Sequence, residues 1–247
     1  MTRTYAEAAG AAVQTVALVT DGVRLEGRLA VPAGAWGLVL MPQPTPGGHD
    51  SPRQGYLAQL VRGAGLATAV VDLVGPGAAA REAAVFDNPS RLADRLLAWV
   101  DMLRARAGLA PLPLALVAPG TAAAAATLAA TRRPGRARAL VSVAGRPDLA
   151  HALLRALDIP TLLIVGENDT PVLRFNRHAL GHLRGVRRLE VIDGAHHHFT
   201  EPGALARVAV CIRRWLRRYV RPAELSLERA APVLLPFPTE HGSISRV

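Results

Sequence analysis

The 247 residues suit one α/β domain, and with half of them hydrophobic but only 4% aromatic, its core must be built from Ala, Val and Leu. All 29 basic residues are arginine against 19 acids, a formal net charge of +10. They are mixed with acids except in the run Arg213, Arg214, Arg217, Arg218 and Arg221, which reads as a solvated helix face rather than a nucleic-acid surface. The lone cysteine, Cys211, excludes an intramolecular disulfide, and neither a secretory leader nor an apolar run of about 20 residues is visible, so the expectation is a cytoplasmic chain off the membrane.

From the N-terminus, residues 13–19 and 23–31 read as two strands joined by the turn Thr20-Asp21-Gly22, an antiparallel pair at a sheet edge. The short apolar run 37–41 leads into a long Pro/Gly loop, 42–52. Residues 54–63 have helical spacing, with Tyr56, Leu57, Leu60 and Val61 on one face. The run 66–73 reads as a central parallel strand covered on both faces, broken by Gly75-Pro76-Gly77. Ser90 is placed as N-cap of a helix over 91–107. A buried strand over 112–118 passes through Pro119-Gly120 into an Ala-rich helix over 121–131. Strands over 139–143, 161–165 and 188–192 follow, with helices over 172–183 and 204–219. Trp215 and Tyr219, four apart in the last helix, form a stripe docked on the core, and Cys211 is read as a buried thiol in the same helix. This rhythm predicts a doubly wound, mostly parallel sheet with helices on both faces. The body spans 12–220, with an N-terminal extension over 1–11 and a proline-containing tail over 221–247.

Six stretches together resemble the dienelactone-hydrolase-like branch of the α/β hydrolases: 21–29, Ser51-Pro52-Arg53, 114–126, 143–149, 162–180 and 194–201. The resemblance covers roughly residues 12–220 and implies an α/β-hydrolase fold with nucleophile, acid and histidine in that chain order. Gly194-Ala195-His196-His197 after the last strand puts His197 at the catalytic histidine's position. Gly166-Glu167-Asn168-Asp169 puts Asp169 at the acid's, where it would set the imidazole's tautomer, although an Asp there also suits a helix N-cap, with Thr170 as the alternative cap.

The nucleophile region departs from the family. Where Gly-x-Ser-x-Gly is expected, the chain has Ala118-Pro119-Gly120-Thr121-Ala122, so Gly120 stands at the nucleophile's position with no side chain to attack with. Thr121 is the nearest hydroxyl and the weaker candidate. Ser142, at the end of another strand, needs no catalytic role. The loop that should supply oxyanion donors reads Pro42-Gln43-Pro44-Thr45-Pro46-Gly47-Gly48-His49. Its prolines 44 and 46 have no N–H, so Thr45 or Gly47 would have to substitute. A ligand pocket is expected around Gln43, Thr45, Thr121 and His196. No cofactor is implied, and the histidines 196–198 with His49 show no recognised metal-ligand spacing.

These residues favour a non-hydrolytic member that binds a small molecule, or performs His197/Asp169 acid–base chemistry, in the ancestral pocket. Two alternatives stay open. One is an ester or lactone hydrolase using Thr121 or water as nucleophile. The other is a structural or regulatory partner acting through a homo-oligomeric or protein contact of residues 213–247. Proteins of this look often stand fused to or alongside a phosphoribosyltransferase domain, of which these residues show no sign.

Overall fold

A computed structural model describes residues 11–76 and 79–220. Eight strands form one sheet in the order β1-β2-β4-β3-β5-β6-β7-β8. They are β1 Val13–Thr20, β2 Val23–Ala30, β3 Leu38–Gln43, β4 Ala67–Asp72, β5 Leu114–Gly120, β6 Ala139–Gly145, β7 Thr161–Gly166 and β8 Arg187–Ile192. The pairs β1/β2 and β2/β4 are antiparallel; every other pair is parallel. The antiparallel edge is where the residues alternate between buried and exposed, and the parallel centre is where both faces are apolar.

Seven α-helices are described: α1 Pro52–Arg62, α2 Ala79–Phe86, α3 Pro89–Arg104, α4 Ala122–Arg132, α5 His151–Leu154, α6 Thr170–His182 and α7 Ala204–Tyr219. Successive strand residues point to opposite faces, which splits the core in two. On one face Leu38, Leu40, Leu114 and Leu116 pack with α3 and the alanines of α4. On the other, Val39, Met41, Ala115 and Val117 pack with Leu57 and Val61 of α1 and Val208, Ile212 and Leu216 of α7. The scarcity of aromatic residues is met by close approach: alanines along α4 are almost wholly buried, so the helix lies tight on the sheet.

The element order agrees with the sequence reading, and the differences are local. Ser90 does not cap α3. Asn88 does, its side chain accepting the Ser90 and Arg91 N–H groups at 3.0 and 3.2 Å, because Pro89 takes the first helical position, where a missing N–H costs nothing. Helix α2 was not expected after Gly75-Pro76-Gly77. It is anchored by the buried pair of Glu82 with Arg95, 2.8 Å apart, in which Arg95 also donates to the Leu73 carbonyl at 2.9 Å. Cys211 is half-buried rather than buried. Trp215 and Tyr219 do share one stripe on the core, their ring centroids 4.5 Å apart and their planes tilted by 56°. No described helix is long and apolar enough to cross a membrane. The tail over 221–247 and residues 1–10 lie outside the described residues.

Candidate functional site

Four loops meet chemistry at the carboxyl ends of the parallel strands, where ligands bind in open α/β sheets. After β5 the chain turns at once into α4. Gly120 sits at that turn with φ +49°, a left-handed conformation that favours glycine. The pairing with β6 slips there, Pro119 facing Val143 but Gly120 facing Gly145. A Cβ at Gly120 would meet, beyond its chain neighbours, only the Pro44 Cγ, at 3.8 Å, so there is room for it and Pro44 overhangs the turn. Thr121 stands at the N-cap position of α4 but has helical angles and makes no capping bond. Its hydroxyl is buried without a partner.

The loop after β3 passes over this turn and is tied by a residue the sequence reading missed. The run 66–73, read as apolar, ends its strand in Asp72, which is 4% exposed. The Asp72 carboxylate accepts the Gly47 N–H at 2.7 Å, the His49 N–H at 2.8 Å and the His49 Nδ1 at 2.7 Å. Burial pushes the Asp72 carboxyl above its ordinary value, outweighing the donors of His49 and Gly47. Gly47 therefore has no free N–H to offer an oxyanion; Asp72 holds it. Thr45 is different: its N–H has no partner among the described residues, and neither has that of Thr121. Gln43 is buried, its amide donating to the Met41 carbonyl at 3.1 Å, whereas Thr45 is exposed.

The loops after β7 and β8 are fastened to each other. The Glu167 N–H donates to the Ile192 carbonyl at 3.0 Å and the Asn168 N–H to the Ala195 carbonyl at 2.9 Å. Side chains add Asn168 Nδ2 to the Gly194 carbonyl at 3.0 Å and the Gly194 N–H to Glu167 Oε2 at 2.8 Å. Such closeness requires a glycine at 166, where a Cβ would collide with the carbonyls of Ala195 and His196. This brings His197 Nδ1 within 2.6 Å of Asp169 Oδ2. With the imidazole neutral, Nδ1–H donates to the carboxylate and Nε2 is left as the acceptor. Asp169 holds the N-cap position of α6 but makes no side-chain capping bond; the carboxylate is given to His197.

The three consecutive histidines go three ways. His196 is exposed, and Glu201 Oε1 accepts its backbone N–H at 3.0 Å and faces its Nδ1 at 2.7 Å. Glu201 is held below its ordinary value, first by its own backbone N–H and then by His196. His198 packs edge-on against His197, centroids 4.9 Å apart, and is lowered by burial, then by His197 and Arg53. Among the described residues no group of three or more His, Cys, Asp or Glu side chains converges as metal ligands do. Arg53 escaped the sequence reading of the site although Ser51-Pro52-Arg53 was already a point of resemblance; a basic residue opening a helix was the available signal.

No protein-family model matches the chain. Among solved structures it is similar to a dienelactone hydrolase from Anabaena variabilis, 36% identical with a TM-score of 0.77, covering 85% of this chain and 99% of that one. Est1E from Butyrivibrio proteoclasticus, at 13% identity and a TM-score of 0.70 over 83% of this chain and 98% of its own, shares the fold. The chain belongs to the dienelactone-hydrolase branch of the α/β hydrolases. It is also 38% identical over 202 residues to a Mycobacterium tuberculosis H37Rv protein that bears the provisional name of phosphoribosyl transferase. That match covers 82% of this chain and 45% of the relative, so the chain spans about half the length of the curated relatives it matches.

Proposed function

We propose that the chain is a non-hydrolytic member of its family that holds a small molecule over Gly120 and moves a proton on it with the His197–Asp169 pair. The observation that carries this reading is the combination at the strand ends: an acid-oriented imidazole, 2.6 Å from its carboxylate, and a turn with no side chain. Gly120 takes the nucleophile's place and cannot form a covalent acyl intermediate. His197 Nε2 serves as the base. The unpartnered N–H groups of Thr121, next to the turn, and Thr45, next to the overhanging Pro44, are the donors for negative charge developing on the ligand. Asp169 positions the ring and stabilises the imidazolium formed.

The test compares wild type and His197→Ala in a mixed metabolite extract followed by mass spectrometry. A metabolite altered by wild type alone is expected, because a positioned proton-transfer group contributes about 10²–10⁴-fold. Simple aryl esters are expected to survive both proteins. Turnover of such esters at ordinary enzymatic rates, abolished by Thr121→Ala, would instead establish a hydrolase whose nucleophile is the buried Thr121 hydroxyl. A second reading is favoured by the length of the curated relatives: the domain serves as the partner of a phosphoribosyltransferase unit. Co-elution of the chain with such a unit on size-exclusion chromatography, and no metabolite altered, is its signature.

A further inference from the structure

The sheet ends in two edges with opposite protection. At one, β8 carries Arg187, Arg188 and Glu190, and charge on an edge keeps other strands away. At the other, β1 reads Val13-Gln14-Thr15-Val16-Ala17-Leu18-Val19-Thr20. It has no charge, no proline and no bulge, and its register against β2 is uninterrupted. Its outer side pairs with no strand among the described residues. Two of its valines are exposed, Val13 by 53% and Val19 by 69%. An edge without these guards is a template for a further strand.

The hairpin turn decides which residues offer that template. Asp21 and Gly22 have φ 53° and 71°, the two-residue turn that makes Thr20 and Val23 a hydrogen-bonded pair. Counting back from Thr20, the even-numbered residues of β1 bond to β2. The odd-numbered ones, Val13, Thr15, Ala17 and Val19, direct N–H and C=O away from the sheet. Their side chains share the solvated face with Arg24, Glu26 and Arg28 of β2.

We propose that this edge pairs with the same edge of a second copy of the chain, antiparallel about a two-fold axis through Val16, so that the two sheets become one. In that register Val13 lies opposite Val19 of the second copy, and Thr15 opposite its Ala17. Each outward-directed residue then meets another and exchanges both bonds, and the exposed valines cover each other. Sliding the pairing by two residues leaves Val13 opposite the turn or Val19 opposite Ala11, beyond the strand. Charge fits the same register. The row through Thr15 runs from Arg28 of one copy, over Ala17 of the second copy, to its Glu26. Arg28 already leans over Thr15, with Nη1 2.6 Å from Oγ1. The two β2 strands are three strand spacings, about 14 Å, apart. A base therefore faces an acid on both sides of the axis. The row through Val19 runs from Arg24 to Ala30 of the second copy, so no like charges oppose each other there, on a chain whose formal net charge is +10. With both β1 edges used and β8 guarded by charge, the assembly closes at two copies.

Sedimentation velocity on the full chain, over about a hundredfold range of concentration, tests it with two charge variants. Wild type should sediment as a dimer at the upper end of the range. Val13→Lys combined with Val19→Lys sets like charges opposite each other at both ends of the ladder and should weaken the dimer at least about tenfold. Val13→Lys combined with Val19→Glu sets opposite charges there and should restore it. Within one chain the two positions lie about 20 Å apart along the strand, too far to pair, so the rescue reads contact between copies. Both side chains are exposed, so the circular dichroism of all three proteins should agree. Hydrogen exchange gives a readout on wild type alone: the Thr15 and Ala17 amides should slow as the concentration rises. A wild type that is monomeric throughout overturns the proposal, and so does a dimer that the two variants weaken equally or not at all. Protection of the Thr15 and Ala17 amides in a monomer assigns the edge to another strand of the same chain and also overturns it.

Discussion

Two loops at the carboxyl end of the sheet are held in place by opposite means. The loop bearing His197 is fastened to the β7 loop by a row of bonds, two between backbones and two from the side chains of Asn168 and Glu167, with a glycine at 166 allowing the approach. The loop over Gly120 is held chiefly by one carboxylate, with the exposed Arg28 Nε–Asp50 bond, 2.7 Å, as a second tie. Asp72 alone receives the Gly47 N–H, the His49 N–H and the His49 imidazole. A distributed arrangement tolerates the loss of any one bond, since each contributes about 0.5–1.5 kcal/mol. A concentrated one fails at a single residue. The difference also bears on what each loop presents: a side chain fixed at His197, and the Pro44 ring over Gly120.

The largest effect is expected at the concentrated tie. Asp72→Ala leaves three donors without an acceptor in a buried setting and should cost about 3–5 kcal/mol in urea unfolding. Hydrogen exchange should rise in residues 44–50 and stay as it was in 193–198, which locates the loss. The distributed loop breaks differently, by a wedge rather than by a lost bond. Gly166→Ala drives a methyl into the carbonyls of Ala195 and His196 and should cost about 2–3 kcal/mol as overpacking. Its specific mark is a change in the His197 ring resonance as the Asp169 contact opens. Removing a single fastener, as in Asn168→Ala, should cost no more than about 1 kcal/mol. An equal loss from Asn168→Ala and Gly166→Ala would contradict the distributed picture.

The pH dependence of Asp72 is next in size. Burial raises its folded-state value above the ordinary carboxylate value, so the folded protein binds the proton more readily than the unfolded chain. Its contribution to stability is therefore full below about pH 4 and is lost as pH rises through the raised folded value. Asp50 is lowered by Arg28, and Glu201 by its backbone N–H and His196, so these carboxylates act in the opposite direction, losing their contribution as pH falls below their ordinary values. In the window just above pH 4, wild type should lose stability with rising pH relative to Asp72→Asn, with a slope of at most about 1.4 kcal/mol per pH unit. Urea midpoints at half-unit intervals measure it; parallel profiles would mean that the carboxylate is not desolvated.

The contrast between the two loops explains what could be read in the sequence. His197 and Asp169 were legible because each follows a strand within a few residues, so that a local motif fixes its place at the sheet's edge. The strands were legible because a parallel centre buried on both faces leaves near-continuous apolar runs. Asp72 was hidden inside such a run: its meaning lies in Gly47 and His49, more than twenty residues away, and no local pattern announces a buried carboxylate that serves another loop. For the same reason the prolines at 44 and 46 could not show which remaining N–H of that loop is taken: Asp72 holds that of Gly47. The cap of α3 was missed by two residues because Asn88-Pro89-Ser90 contains two good caps, and only Pro89's place in the first turn decides between them.

The smallest effect on stability comes from restoring a side chain at the turn. Gly120 has φ +49°, which costs an L residue about 1–2 kcal/mol. Part of this is offset, by about 0.4–1 kcal/mol, because a residue with a Cβ loses less freedom on folding than glycine does. The space is not an obstacle, since the new Cβ makes only an ordinary contact with Pro44. Gly120→Ser and Gly120→Ala should therefore both fold, each about 1 kcal/mol less stable than wild type. Only the serine variant carries an oxygen at that position; under the proposed function the His197 Nε2 would deprotonate it, and the Thr45 and Thr121 N–H groups would receive the tetrahedral oxyanion that follows attack on an ester. Aryl-ester hydrolysis should appear in Gly120→Ser, be absent from Gly120→Ala, and disappear again when His197→Ala is added. If Gly120→Ser shows the expected stability but no ester turnover, the loop over the turn does not present its donors to a bound carbonyl. The concentrated tie at Asp72 would then hold a shape suited to some other ligand than an ester.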